Sequence, residues 1–109
     1  MSDTGTLAHA RPQHMEALEL ANRVRLARAD VKRKIAAGNV EVANVVVTCP
    51  WMVETMPLGE LLTSQKRWGR TRAQKFLKSV GLRETKALST LTERQRVTLA
   101  ALLSAKRAS

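Results

Sequence analysis

The chain is poor in the residues that most often carry chemistry. It has one cysteine, no tyrosine, two tryptophans and one phenylalanine in 109 residues. The lone thiol, Cys49, has no second cysteine with which to form an internal disulfide, which fits a reducing cytosol. Three aromatics (Trp51, Trp68, Phe76) argue against a single-strand nucleic-acid binder, which stacks bases on several rings. The nine carboxylates are scattered singly and suggest no acid–base pair. No apolar run approaches the roughly 20 residues that span a bilayer. Met1 to Gly5 is polar and Leu7 stands nearly alone, so no signal-peptide core is read. A chain this short holds one hydrophobic core and has little room for a deep, shielded catalytic cavity.

Enzyme chemistry therefore finds no support. His9 and His14 lie in or beside the N-terminal segment, and no third ligand type stands at metal-site spacing from them. Cys49 would need a base held beside it to act as a nucleophile, and reads instead as a small buried thiol. There is no glycine-rich phosphate loop. The expectation is a protein that is not an enzyme, with no catalytic residue, metal or cofactor.

What the chain has in excess is positive charge. Nineteen Lys and Arg stand against nine Asp and Glu, a net charge of +10. Such an excess on a small body points to a polyanion, nucleic acid first and an anionic membrane surface second.

The pattern is helical. Residues 1–12 lack any period and read as an N-terminal tail, leaving 13–109 as a single domain. Across 13–37, Leu20, Val24, Ala27, Val31 and Ile35 fall on one face of a long helix. Arg25, Arg28 and Lys32 form a basic stripe beside them, and Gly38 stops the helix. Val40 to Val47 has strand propensity but no second strand to pair with, so a short buried helix started by Asn39 is expected. Leu58 to Gln65 reads as a helix with Leu58, Leu61 and Leu62 inward. Thr71 and Gln74 have capping-box spacing, followed by an inward Ala73, Phe76, Leu77 and Val80 and a left-handed Gly81. Arg83 to Leu91 is a connector anchored by Leu88 and Leu91. Thr92 and Gln95 repeat the capping-box spacing and open a last helix with Val97, Leu99, Leu102 and Leu103 inward. The expected fold is all-α, with about five helices.

The sharpest signal runs from Lys66 to Ala73. Gly69 in a tight turn lets the backbone approach a phosphate, and the amides of the following helix's first turn point outward with positive partial charge. From Gln65 to Arg83 there are seven Lys or Arg and no acid. A solvated basic face is the bland alternative, but a glycine turn, a helix start and an acid-free charge run coincide here.

The run from Trp68-Gly69-Arg70-Thr71-Arg72 through Val80-Gly81-Leu82 resembles the glycine–helix element of helix–two-turns–helix proteins. With Thr85-Lys86, Leu88, Leu91 and Thr92-Glu93-Arg94-Gln95-Arg96, and with the long basic helix and Leu58 to Leu62 before it, the chain resembles the actinobacterial (mycobacterial-type) integration host factor family. The resemblance covers roughly residues 15–103 and implies a long basic helix followed by a helix–two-turns–helix core over 58–105. It also implies duplex DNA binding with little sequence preference, and DNA bending or compaction. It places Gly69, Arg70, Thr71 and Arg72 at a phosphate-gripping turn, with Lys75 behind, Lys66 and Arg67 before, and Lys86 on a second surface. Family members often carry several arginines after the position of Thr85, whereas here the run is Lys86-Ala87-Leu88-Ser89. Trp68 likewise replaces a smaller aliphatic residue. These departures point to a remote member, with a phage origin as one reading.

The expected function is thus a non-catalytic, nucleoid-associated DNA-binding protein of the cytoplasm, a monomer meeting double-stranded DNA and recombinase or nucleoid complexes, with no membrane role. Arg25, Arg28 and Lys32 offer a second DNA contact. Structured-RNA binding with the same fold, or a phage protein-interaction module using Leu7 and a Trp51-Met52 surface, are the alternatives.

Overall fold

The computed structural model describes the side chains of residues 14–106, within a chain whose first helix is bounded at Ser2 and whose last is bounded at Ala108. The tail expected over residues 1–12 falls on residues whose side chains, those of Leu7 and His9 included, lie outside the described ones. The elements in order are α1 (Ser2–Ala36), α2 (Val42–Thr48), α3 (Leu58–Thr63), α4 (Arg70–Ser79) and α5 (Glu93–Ala108), with 3-10 turns at Trp51–Val53 and Leu88–Thr90. The fold is all-α, as expected.

Two helices end on a left-handed glycine. Gly38 (φ 82°) follows α1, where Asn39 N–H donates to the Lys34 carbonyl at 2.9 Å and Gly38 N–H to that of Ile35 at 3.0 Å. Gly81 (φ 74°) follows α4 with the same pair of bonds, Leu82 to Leu77 at 2.9 Å and Gly81 to Lys78 at 3.1 Å. Leu77 and Leu82 are both buried, which supplies the apolar contact that accompanies this cap.

The apolar stripe of α1 is not the continuous core face its spacing predicts. Ile35 alone is buried; Val24, Ala27 and Val31 are half-buried, and Leu20 is 53% exposed. α1 packs chiefly on the 3-10 turn Trp51–Val53, and among its described residues only Ile35, near its C-terminus, joins the core. Polar contacts fix it there. Arg28 Nε donates to the Met52 carbonyl at 2.8 Å and its Nη2 to Thr55 Oγ1, while Lys32 pairs with Glu60 at 3.3 Å. Replacing Arg28 with alanine is expected to cost about 1–2 kcal/mol in urea unfolding, through lost charge-assisted bonds. Arg25→Ala is expected to leave the midpoint unchanged, because among the described residues Arg25 bonds only to Asn22 on its own helix. Equal midpoints for the two variants would show that Arg28 does not anchor the helix.

In the last turns of α1, the Lys34 ammonium and then the Arg33 guanidinium hold the Asp30 carboxyl below its usual range. A depressed carboxyl keeps its pairing above its ordinary pKa and loses it only as pH falls through the lowered value.

Val42–Thr48 is a helix despite its valines, because it buries Val42, Ala43, Val45 and Val46 and packs on α5. Tertiary contact overrides strand propensity here. Its N-cap is Glu41 and not Asn39, since the Asn39 and Val40 amides are both spent on the Lys34 carbonyl in closing α1. Cys49 ends α2 in the left-handed region (φ 43°) and is half-buried rather than buried. Arg96 reaches from α5 to the C-terminal end of α2, donating to the carbonyls of Val46 at 3.3 Å and Ser89 at 3.2 Å. A cation at that end also complements the helix dipole.

The Thr92–Gln95 capping box forms as its spacing predicts: Gln95 N–H donates to Thr92 Oγ1 at 3.1 Å and Thr92 N–H to Gln95 Oε1 at 2.9 Å. The inward face of α5, however, is Leu99, Ala100 and Leu103, while Val97 and Leu102 are exposed. At roughly 100° per residue, Val97 and Leu102 fall on opposite flanks of the stripe that meets α2.

The segments 54–59 and 84–89 cross beside this core. Leu58 and Gly59 donate to the carbonyls of Lys86 and Glu84, each at 2.9 Å, and Leu88 and Ser89 return bonds to Met56 and Glu54 at 3.1 and 2.9 Å. A Cβ on Gly59 would lie 2.9 Å from Glu84 Cβ, so this crossing needs a glycine. The consequence for the site is that Glu84 is delivered beside the start of α4.

Candidate nucleic-acid interface

The turn into α4 is built without a side-chain cap. Gly69 is the N-cap (φ −86°, ψ 175°), and no side chain bonds to the helix's first amides. The capping box expected from Thr71 and Gln74 does not form. The non-helical residue is Gly69, so Thr71 already lies inside the first turn, and Gln74 Nε2 donates instead to Glu84 Oε1 at 2.8 Å. Ala73 N–H closes back on the Gly69 carbonyl at 3.1 Å. The amides of Arg70, Thr71 and Arg72 therefore stand at the positive end of a ten-residue helix that has no acid in its first turn.

Gly69 is required neither by its backbone angle nor by its surroundings. Its φ is ordinary, and an added Cβ would meet nothing within 4 Å. What a side chain there would obstruct is access from outside to the amides. That is the property an anion site needs.

The cations divide into groups. Arg70 is 79% exposed and lies 3.6 Å from Glu84, a loose surface pair. The Arg72 guanidinium lies 4.2 Å over the Trp68 ring, which meets Phe76 edge-on at 5.4 Å. Trp68 thus packs beneath the turn and holds Arg72 by a cation–π contact. Lys66, Arg67 and Lys75 are exposed on either side, with Arg67 in a left-handed conformation (φ 73°). Lys86 is half-buried two residues past Glu84, its carbonyl accepting from Leu58. Arg25, Arg28 and Lys32 lie on α1, where Arg28 and Lys32 are engaged by Met52, Thr55 and Glu60. Glu60 lines both the groove along these α1 residues and the one beside Arg70 and Glu84, so the two basic regions adjoin there.

Neither a protein-family model nor a curated protein matches the chain. In three dimensions it is similar to the solved structure of sIHF bound to an 8bp palindromic DNA, with a TM-score of 0.71 and 23% identity, covering 78% of this chain and 98% of that one. The fold is shared with sIHF.

Glu84 escaped the reading of motifs in the sequence. It is the single acid between Glu60 and Glu93, and that isolation within a basic stretch was the available signal. The contacts of Arg28 and Arg96 carry no such signal, because their acceptors are neutral: the carbonyls of Met52, Val46 and Ser89 and the Thr55 hydroxyl.

Proposed function

We propose that this chain is a non-catalytic duplex-DNA-binding protein, nucleoid-associated in its cell, that grips phosphates at the Gly69 turn and bends or compacts the duplex. The observation that carries the proposal is the uncapped start of α4, open at Gly69 and flanked by Lys66, Arg67, Arg70, Arg72 and Lys75. The fold it shares with sIHF, a protein bound to DNA in its solved structure, supports the same reading. Backbone amides and cations aimed at phosphates position a duplex without reading its sequence, so affinity comes mainly from counter-ion release. The basic residues of α1 extend the contact past Glu60, with Arg25 as the one of the three that is not engaged by Met52, Thr55 or Glu60 among the described residues.

If about five phosphates are neutralised, log affinity falls with log salt at a slope near −4 to −5. Fluorescence anisotropy with a labelled duplex at several salt concentrations measures it, and a flat response would sink the mechanism. Competition between duplex DNA and A-form RNA of the same length decides the partner, because groove shape and the 2′-hydroxyl differ. Preferential loss to RNA would transfer the site to structured RNA.

A further inference from the structure

Two residues near the turn are unusual for a phosphate grip alone. Leu102 is a leucine 38% exposed on a helix whose neighbouring leucines are buried, and Trp68 places a large ring beneath a turn that needs no aromatic. Both line one groove of about 680 Å³ between α4 and α5. Its floor is Trp68, Phe76 and Leu102, and its rim carries Arg72, Lys75 and Lys106, with no carboxylate among the lining residues. The size lies within the range of small-molecule sites.

An apolar floor under a cationic rim selects a ligand that is flat and apolar on one side and anionic on the other. We infer that this groove takes one nucleotide whose base is unpaired, the base entering over Leu102 and the Arg72–Trp68 stack and the phosphate remaining on the rim. A paired base offers only its edge, so its ring must leave the stack to reach this floor. The Arg72 guanidinium already lies 4.2 Å over the Trp68 ring, and a guanidinium plane is itself a surface on which bases stack. The groove also shares Thr71, Arg72 and Lys75 with the phosphate turn, so a strand held there passes directly beside it. The inference rests on the DNA-binding reading and adds to it a preference for duplexes carrying a bulged or displaced nucleotide.

The test uses the full chain carrying Trp51→Phe, which leaves Trp68 as the single fluorescent indole. A short paired duplex, the same duplex with a one-nucleotide bulge, and a free mononucleotide are titrated at one salt concentration. The bulged duplex is expected to bind about tenfold tighter than the paired one, equivalent to ~1.4 kcal/mol, the low end of one base–aromatic stack. It should quench Trp68 where the paired duplex does not. Leu102→Ala, at an exposed position, should abolish the preference and leave paired-duplex affinity unchanged. Quenching by the mononucleotide alone assigns the groove to a free nucleotide as its source, and quenching by the bulge assigns it to the bound strand. No quenching by either, or a bulge preference that survives Leu102→Ala, overturns the inference. If paired duplex binds without any of these effects, the groove fails while the DNA reading stands. If mononucleotide quenches but no duplex binds, the DNA reading fails instead.

Discussion

Replacing Arg70 and Arg72 together with alanine is expected to weaken duplex binding roughly a hundredfold at low salt and to flatten the salt slope by nearly two. Both side chains are exposed at the first turn of α4, and neither supports the core. Arg70 has only a loose pair with Glu84, and Arg72 rests on the outer face of Trp68. The unfolding free energy should therefore stay within about 1 kcal/mol of that of the unaltered protein. Because phosphate contacts position without specifying, the loss should be the same for unrelated duplex sequences. Glu84→Gln should move affinity the other way by a few-fold, since it removes the one carboxylate that draws on Arg70. Anisotropy titrations across salt with two unrelated duplexes check all of this. A loss confined to one sequence, or an unfolded double variant, contradicts the assignment.

The same substitution at two glycines is expected to give opposite results. At Gly59 the new Cβ would stand 2.9 Å from Glu84 Cβ and 3.3 Å from the Glu84 carbonyl, which itself accepts the Gly59 N–H. Four backbone bonds hold the crossing segments, so neither can yield without strain. Gly59→Ala should cost about 2 kcal/mol, a fall of roughly 10 °C in thermal midpoint for a domain this size. It should also displace Glu84 from Arg70 and Gln74. At Gly69 the Cβ points into open space, and exchanging a glycine N-cap for alanine should cost well under the Gly59 penalty. Gly69→Ala should instead weaken duplex binding, by placing a methyl between a phosphate and the amides. Thermal melts alongside binding isotherms separate the two. Matching midpoints would show that the 59–84 crossing has slack that its geometry denies.

Local rules carried the reading where their partners lie within a few residues. The left-handed stops at Gly38 and Gly81 and the reciprocal Thr92–Gln95 box all formed as spaced, since every bonded partner lies within five residues. The Thr71–Gln74 box had the same spacing and did not form. A capping box needs its first residue outside the helix, and the extended backbone at Gly69 moved that boundary two residues earlier. Gln74 then served Glu84, ten residues away. The turn itself was legible because it combines a glycine with uninterrupted positive charge. Its accompanying acid and its groove were not, because Glu84 and Leu102 arrive from other segments.

By itself the sequence determined the helical class, the glycine stops at Gly38 and Gly81 and the concentration of positive charge around Gly69, all of which follow from periodicity, glycine chemistry and simple charge counting. The tertiary structure alone decided which of those residues are used inward. Arg28 anchors α1, Arg96 closes α2, and Leu20, Val97 and Leu102 stay in solvent although their spacing suits a core. The reason is that periodicity specifies a face but not what meets it. Burial depends on how far the remaining short helices extend, and that is settled only when the whole chain packs.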